Sequence, residues 1–177
     1  MNRGVGKDPL QTTLNISNKK IYNRVNEKET RRISIVNKPT FDDSNINWQV
    51  LGDYEHLHYS ILDVDSENAI ADVLFKFTAN EKVFLHRHLG HNNTFVIQGE
   101  HRLYKPDGTL KEVRPVGSMT STPPSNDPHR EGAGDQDAVV AFSMRRKNGV
   151  MYEILDDDMN VVDTISFQDL EDLNNAT

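Results

Sequence analysis

His86-Arg87-His88-Leu89-Gly90-His91-Asn92-Asn93-Thr94-Phe95-Val96-Ile97-Gln98-Gly99 is the stretch on which the reading of this chain turns. Side chains alternate between the two faces of an extended strand, so His86 and His88 point the same way and can hold a single cation. Phe84 shares their face, and the pair therefore projects into a space that is otherwise apolar. Leu89-Gly90-His91 reads as a short turn. In the returning strand Asn92, Thr94, Val96 and Gln98 share one face until Gly99 breaks the pattern, so a polar side chain comes back toward whatever the histidines hold.

Working outward from this stretch, the chain from Trp48 onward consists of short runs of β-forming residues separated by turn chemistry. Strands are expected at Leu57–Val64, Ala69–Thr78, Lys82–His88, Thr94–Gly99, His101–Tyr104, Leu110–Arg114, Ala138–Arg145 and Val150–Leu155. Between two of them Pro106 presets one turn residue and Gly108 accepts a positive φ, so Lys105-Pro106-Asp107-Gly108 should close a hairpin. One helix is expected, at Ser166–Leu173: it starts on a capping residue and places Phe167, Leu170 and Leu173 on one face. Many strands and a single helix imply an all-β antiparallel sandwich or barrel with a short C-terminal helix docked on it.

The 177 residues suffice for one domain with a substantial core. Residues 1–45 hold nine Lys or Arg against five Asp or Glu, so the overall charge of −7 comes from the remainder. They read as a mobile basic arm in which Arg32–Val36 could add an edge strand, preceding a β-domain at 46–177. The acidic β-domain argues against a nucleic-acid partner. The longest apolar run, Ala138–Phe142, is far short of a membrane span, and the N-terminus has no apolar core of the signal-peptide kind, so a cytoplasmic protein without membrane partner is expected. There is no cysteine, which excludes disulfides, thiolate ligands and a cysteine nucleophile; any metal must be held by nitrogen and oxygen.

Two His-x-His pairs occur. His56-Leu57-His58 has a permissive geometry but no tight turn or further ligand pattern after it, and reads as packed or solvated histidine. His86-Arg87-His88 has the strand, turn and glycine context, and here the sequence resembles the cupin superfamily. The first motif of that family is a glycine, five residues, His-x-His, three or four residues, a glutamate, six residues and a glycine. This chain matches each spacing from Asn80 through His86, His88 and Asn92 to Gly99, with asparagine at the first glycine and at the glutamate. The second motif resembles Gly117 through Pro124-Ser125-Asn126-Asp127-Pro128-His129, with one extra residue before the proline and Ala133 in place of the final asparagine.

The resemblance implies a cupin-type double-stranded β-helix, or jelly-roll barrel, in which His86, His88 and His129 ligate a divalent metal and Asn92 occupies the glutamate position. Three neutral imidazoles would then leave the double charge of the ion uncompensated and favour an anionic or enolisable bidentate substrate. Whether Asn92 or His91 contacts the metal stays open. Arg102 would hold a substrate oxygen if strand parity continues past Gly99, and would face solvent if Gly99 marks a bulge. The pattern is similar to the dioxygenases that cleave β-diketones and hydroxyacetophenones, and to cupin domains of the anti-sigma-factor type. It implies an iron(II) dioxygenase that cuts a C–C bond of a small β-dicarbonyl or hydroxyketone with O2, acting as a homodimer, with manganese, nickel or zinc as alternative metals. The alternatives are a non-enzymatic metal-binding sensor or regulatory module and a metal-dependent isomerase or lyase.

Overall fold

The computed structural model describes residues 41–146 and 149–176. The expected arm lies outside these residues except for positions 41–45, and its candidate strand Arg32–Val36 lies outside them entirely.

Twelve strands and one helix are formed among the described residues: β1 (Gln49–Leu51), β2 (Tyr54–Asp65), β3 (Ile70–Phe77), β4 (Leu85–His88), β5 (His91–Gln98), β6 (Glu100–Tyr104), β7 (Leu110–Pro115), β8 (Met119–Thr122), β9 (Arg130–Ala133), β10 (Ala138–Arg145), β11 (Val150–Leu155), β12 (Val161–Ser166) and α1 (Phe167–Asn175). A six-stranded sheet runs β1-β2-β3-β10-β5-β8, and two three-stranded sheets run β12-β11-β4 and β7-β6-β9. Every pairing is antiparallel. The two small sheets meet along a seam between β4 and β9, where the backbone is joined by the isolated bridges Lys82–Gly132 and His86–His129.

The eight expected strands are all present, with ends shifted by a few residues. Four short ones were not anticipated. β1 has three residues, β8 and β9 have four each, and β12 is largely exposed with its apolar residues Val161, Val162 and Ile165 out of alternation, so none carries the apolar alternation that marks a strand in sequence. The expected hairpin forms at Lys105–Gly108: Gly108 has φ +81°, and the Lys105 amide donates to the Thr109 carbonyl at 2.8 Å. Asn80, standing where a glycine would be usual, adopts φ +62°, a conformation asparagine tolerates better than most residues.

The core lies between the six-stranded sheet and the smaller sheets. Val73, Val96, Val140, Met144 and Met151 are fully buried, with Phe77 and Phe142 beside them. α1 starts on a capping box: the Ser166 hydroxyl accepts from the Asp169 amide, while the Asp169 carboxylate accepts from the Ser166 amide. Its Phe167 and Leu170 are buried in the same core. No described helix is long and apolar enough to cross a membrane.

Candidate metal centre

β4 and β9 face each other across the seam and build the site. Alternation puts His86 and His88 on the inner face of β4, and the same rule puts Glu131 inward on β9, two residues after His129. Reciprocal backbone bonds between His86 and His129, 3.0 and 2.9 Å long, fix the register of the two strands. One donor atom from each of His86, His88, His129 and Glu131 lies within 4.8 Å of the other three, the one such grouping among the described residues.

The distances suit a small cation. His86 Nε2 and His88 Nε2 are 2.8 Å apart, and Glu131 carboxylate oxygens lie 3.7, 4.0 and 3.6 Å from Nε2 of His86, His88 and His129. An ion about 2.0–2.2 Å from each donor would hold its ligands at separations of this size. A second observation points the same way: His129 Nε2 is buried, aimed into the cluster, and has no hydrogen-bond partner. Buried polar nitrogens are rarely left unpaired, so this atom fits the role of a ligand.

The electrostatics differ from the expectation of an uncompensated double charge. Burial pushes the Glu131 carboxyl up, but His101, with His129 and His86, more than offsets this and holds it well below the usual carboxylate range. An ionised carboxylate therefore sits in the cluster and would halve the charge of a divalent ion. His101 is fully buried, stacked on Phe77, with Nε2 3.4 Å from Glu131. Burial lowers His86 to about 4 and holds His88 well below its ordinary value, so both rings are neutral at neutral pH. Tyr152 is raised well above 10, by burial first and then by the Glu131 charge, and keeps its proton.

Asn92 is buried beside the cluster, not in it. Its side chain spans His88 Nδ1, 2.5 Å from Nδ2, and the Tyr152 hydroxyl, 3.0 Å from Oδ1. It therefore contacts the ring edge opposite the one that faces the other donors. His91 turns away, its Nε2 lying 3.1 Å from the Ser121 hydroxyl. Gly99 settles the parity of β6: with φ +69° it resets the alternation, so His101 and Leu103 point inward. Arg102 instead pairs with Glu100, at 3.0 and 2.6 Å, and is not brought to the cluster. Of the other pair, His56 is exposed beside Glu81, and neither it nor His58 joins a metal-like grouping.

Two openings reach the cluster from different sides. An apolar cavity of about 40 Å³ is lined by Phe75, Phe77, Phe84 and Phe142 together with His86, Glu131 and Tyr152. A polar groove of about 130 Å³ touches His88, His129 and Glu131 and is lined further by Asn92, Thr94 and Arg114. Arg114 is held there by Glu112, at 2.8 and 2.9 Å. Glu131 and Arg114 are the residues that motif spacing missed. The signal for Glu131 was in the sequence, because His129-x-Glu131 obeys the same strand alternation as His86-x-His88.

No protein-family model matches the sequence, and no curated protein does. Solved structures do match in fold. An RmlC-like cupin protein from Ralstonia eutropha JMP134 is 19% identical, with a TM-score of 0.61 over 81% of this chain and 90% of that one. An acetylacetone dioxygenase from Acinetobacter johnsonii is 14% identical, with a TM-score of 0.61 over 79% and 93%. A protein with a cupin-like fold from Ralstonia eutropha JMP134 is 16% identical, with a TM-score of 0.61 over 79% and 85%. The architecture is thus the cupin-type double-stranded β-helix expected from the two motifs.

Proposed function

We propose that this cupin-fold chain binds one divalent ion, iron(II), through His86, His88, His129 and Glu131, and uses it to cleave a C–C bond of a small enolisable β-dicarbonyl or hydroxyketone with O2. The observation that carries the metal assignment is the convergence of four donor atoms within 4.8 Å, one of them the unpartnered His129 Nε2. Nitrogen and oxygen donors in a mixed set suit iron, manganese, nickel or zinc. When bound, the ion supplies Lewis acidity toward substrate oxygens and, as iron, a redox couple for O2.

The residues themselves narrow the substrate. With Glu131 ionised, the loaded centre carries a net single positive charge, which a monoanionic enolate neutralises. A dianion would leave a net negative charge in a buried site, where charge is costly. The groove admits the two polar oxygens beside His88 and His129, and the apolar cavity beside His86 takes a hydrocarbon end or O2. For a β-diketone the balance is one O2 consumed and one C–C bond broken, with both oxygen atoms retained in a carboxylic acid and a 2-oxoaldehyde. The dioxygenase among the structural neighbours, at 14% identity, supports the reading through its fold alone.

The test is metal analysis followed by an oxygen-electrode panel of β-diketones and hydroxyacetophenones on the ferrous protein. About one equivalent of metal per chain is expected, lost in His86→Ala and His129→Ala, with O2 uptake matched to substrate consumed. Protein that resists loading with iron, manganese and zinc overturns the metal site. Stoichiometric iron without uptake overturns the oxygenase and leaves the sensor and lyase readings.

A further inference from the structure

β7 is exposed along its length except at Arg114, the one residue of the strand that is partly buried. Arg114 stands opposite the fully buried His101 of β6, and directly opposed residues of an antiparallel pair share a face, so its side chain points inward. Thr120 reaches the same space from β8. It stands opposite Thr94 of β5, and the two hydroxyls are 2.6 Å apart. β7 and β8 are edge strands of different sheets, and the guanidinium bridges them.

Arg114 Nε and Nη2 donate to the two Glu112 carboxylate oxygens at 2.8 and 2.9 Å, and Nη1 donates to the Thr120 hydroxyl at 3.3 Å. A guanidinium carries five N–H groups. Three are used in this way, and one on each terminal nitrogen has no protein partner among the described residues. The Glu112 pair does little to hold the fold together: its members lie two apart on one strand, and Glu112 is 44% exposed, where ion pairs are worth little. What the pair does is fix the plane of the guanidinium and cancel its charge. The hydrogen bonds from Arg114 hold the Glu112 carboxyl below its usual range, so both partners stay ionised at neutral pH.

This guanidinium lines the groove that touches His88, His129 and Glu131. Apart from the cluster itself, the other charged lining residues are the exposed Lys111 and Asp127, which offset each other. The groove thus presents oriented N–H donors without surplus positive charge. A second carboxylate would enter uncompensated, whereas an uncharged oxygen would be matched. We propose that Arg114 is a specificity-determining residue whose two unengaged N–H groups receive a third, uncharged oxygen of the substrate. The preferred substrate is then a β-dicarbonyl or hydroxyketone that carries a further carbonyl or hydroxyl oxygen outside the pair that meets the centre.

This inference rests on the metal centre and the dicarbonyl substrate proposed above. Its test uses zinc, which has no redox chemistry, so that binding is read without turnover. Calorimetric titration of the zinc-loaded chain compares acetylacetone, the linear triketone diacetylacetone, and acetylpyruvate, in which a carboxylate replaces the third neutral oxygen. The parent should bind diacetylacetone roughly tenfold tighter than acetylacetone, as one hydrogen bond to a charged donor allows, and the ratio should fall to near one in Arg114→Met. Arg114→Lys keeps the charge but not the planar set of donors, and should also lose most of the preference. A preference absent from the parent, or unchanged in Arg114→Met, overturns the role of Arg114 and leaves the centre standing. Tighter, Arg114-dependent binding of acetylpyruvate than of diacetylacetone overturns the uncharged class. Zinc-loaded protein that binds none of the three overturns the dicarbonyl reading and this inference with it, and failure to take up zinc overturns the centre itself.

Discussion

At the scale of single residues, burial of the imidazoles decides how the metal-free protein responds to acid. His86 is pushed from 6.5 to about 4 in the fold, chiefly by burial. Between those values the unfolded chain takes up a proton there that the folded chain refuses, so stability rises with pH through the window and is complete above about 6.5. His88 adds to the same trend. Glu131 acts in a different window: its folded-state carboxyl lies below the ordinary range, so its contribution is present above about 4.5 and is lost only in stronger acid. The urea midpoint of chelator-treated protein should therefore be lower at pH 5 than at pH 7, on the order of 1 kcal/mol per pH unit for each group that refuses its proton. His86→Gln should flatten the dependence; a parent midpoint equal at both pH values contradicts the argument. Strand parity in the sequence singles out His86 and His88, and His129 follows from the resemblance of the second motif. Glu131 is marked only by the alternation His129-x-Glu131, since the motif places its carboxylate at position 92, where an amide stands.

At the scale of elements, β9 carries Glu131 and begins directly after His129, and it is the strand on which the site depends most. Gly132 lies between Glu131 and Ala133, and a Cβ there would run into the Glu81 carbonyl and approach Lys82 Cα to 3.2 Å. Both obstacles are backbone, which cannot rotate away. Gly132→Ala should cost about 1–3 kcal/mol and weaken zinc binding by at least tenfold, because β9 must shift with both donors. Gly117→Ala is the comparison: φ is +85° but nothing lies within 4 Å, so it should cost about 1–2 kcal/mol of backbone strain and leave zinc affinity unchanged. Urea melts and competition titrations against a chelator read both quantities, and parent-like zinc affinity in Gly132→Ala would contradict the role given to β9. Long strands such as β3 and β10 were readable from their apolar runs. β9, with the sequence Arg-Glu-Gly-Ala, carries no periodic apolar signal, and its pairing with β6 and the bridges to Lys82 and His86 are long-range facts.

At the scale of the whole molecule, the barrel was foreseen from strand count, turn chemistry and motif spacing, because these are local properties that add up to one architecture. How it closes was not, since closure rests on two isolated bridges between sheets whose strands are far apart in sequence. The same feature bears on exchange kinetics. An ion in the cluster would be held by β4 on one side of the seam and β9 on the other, as a rivet through two plates. Although the groove reaches the cluster, release requires donors on both plates to let go together, so the exit rate would follow the breathing of the barrel and not the attacking chelator. Removal of zinc should accordingly become independent of chelator concentration once the chelator is in excess, and should accelerate steeply with temperature, as opening reactions do. A rate that keeps climbing in proportion to chelator would mean that the ion is reached through the groove with the seam shut.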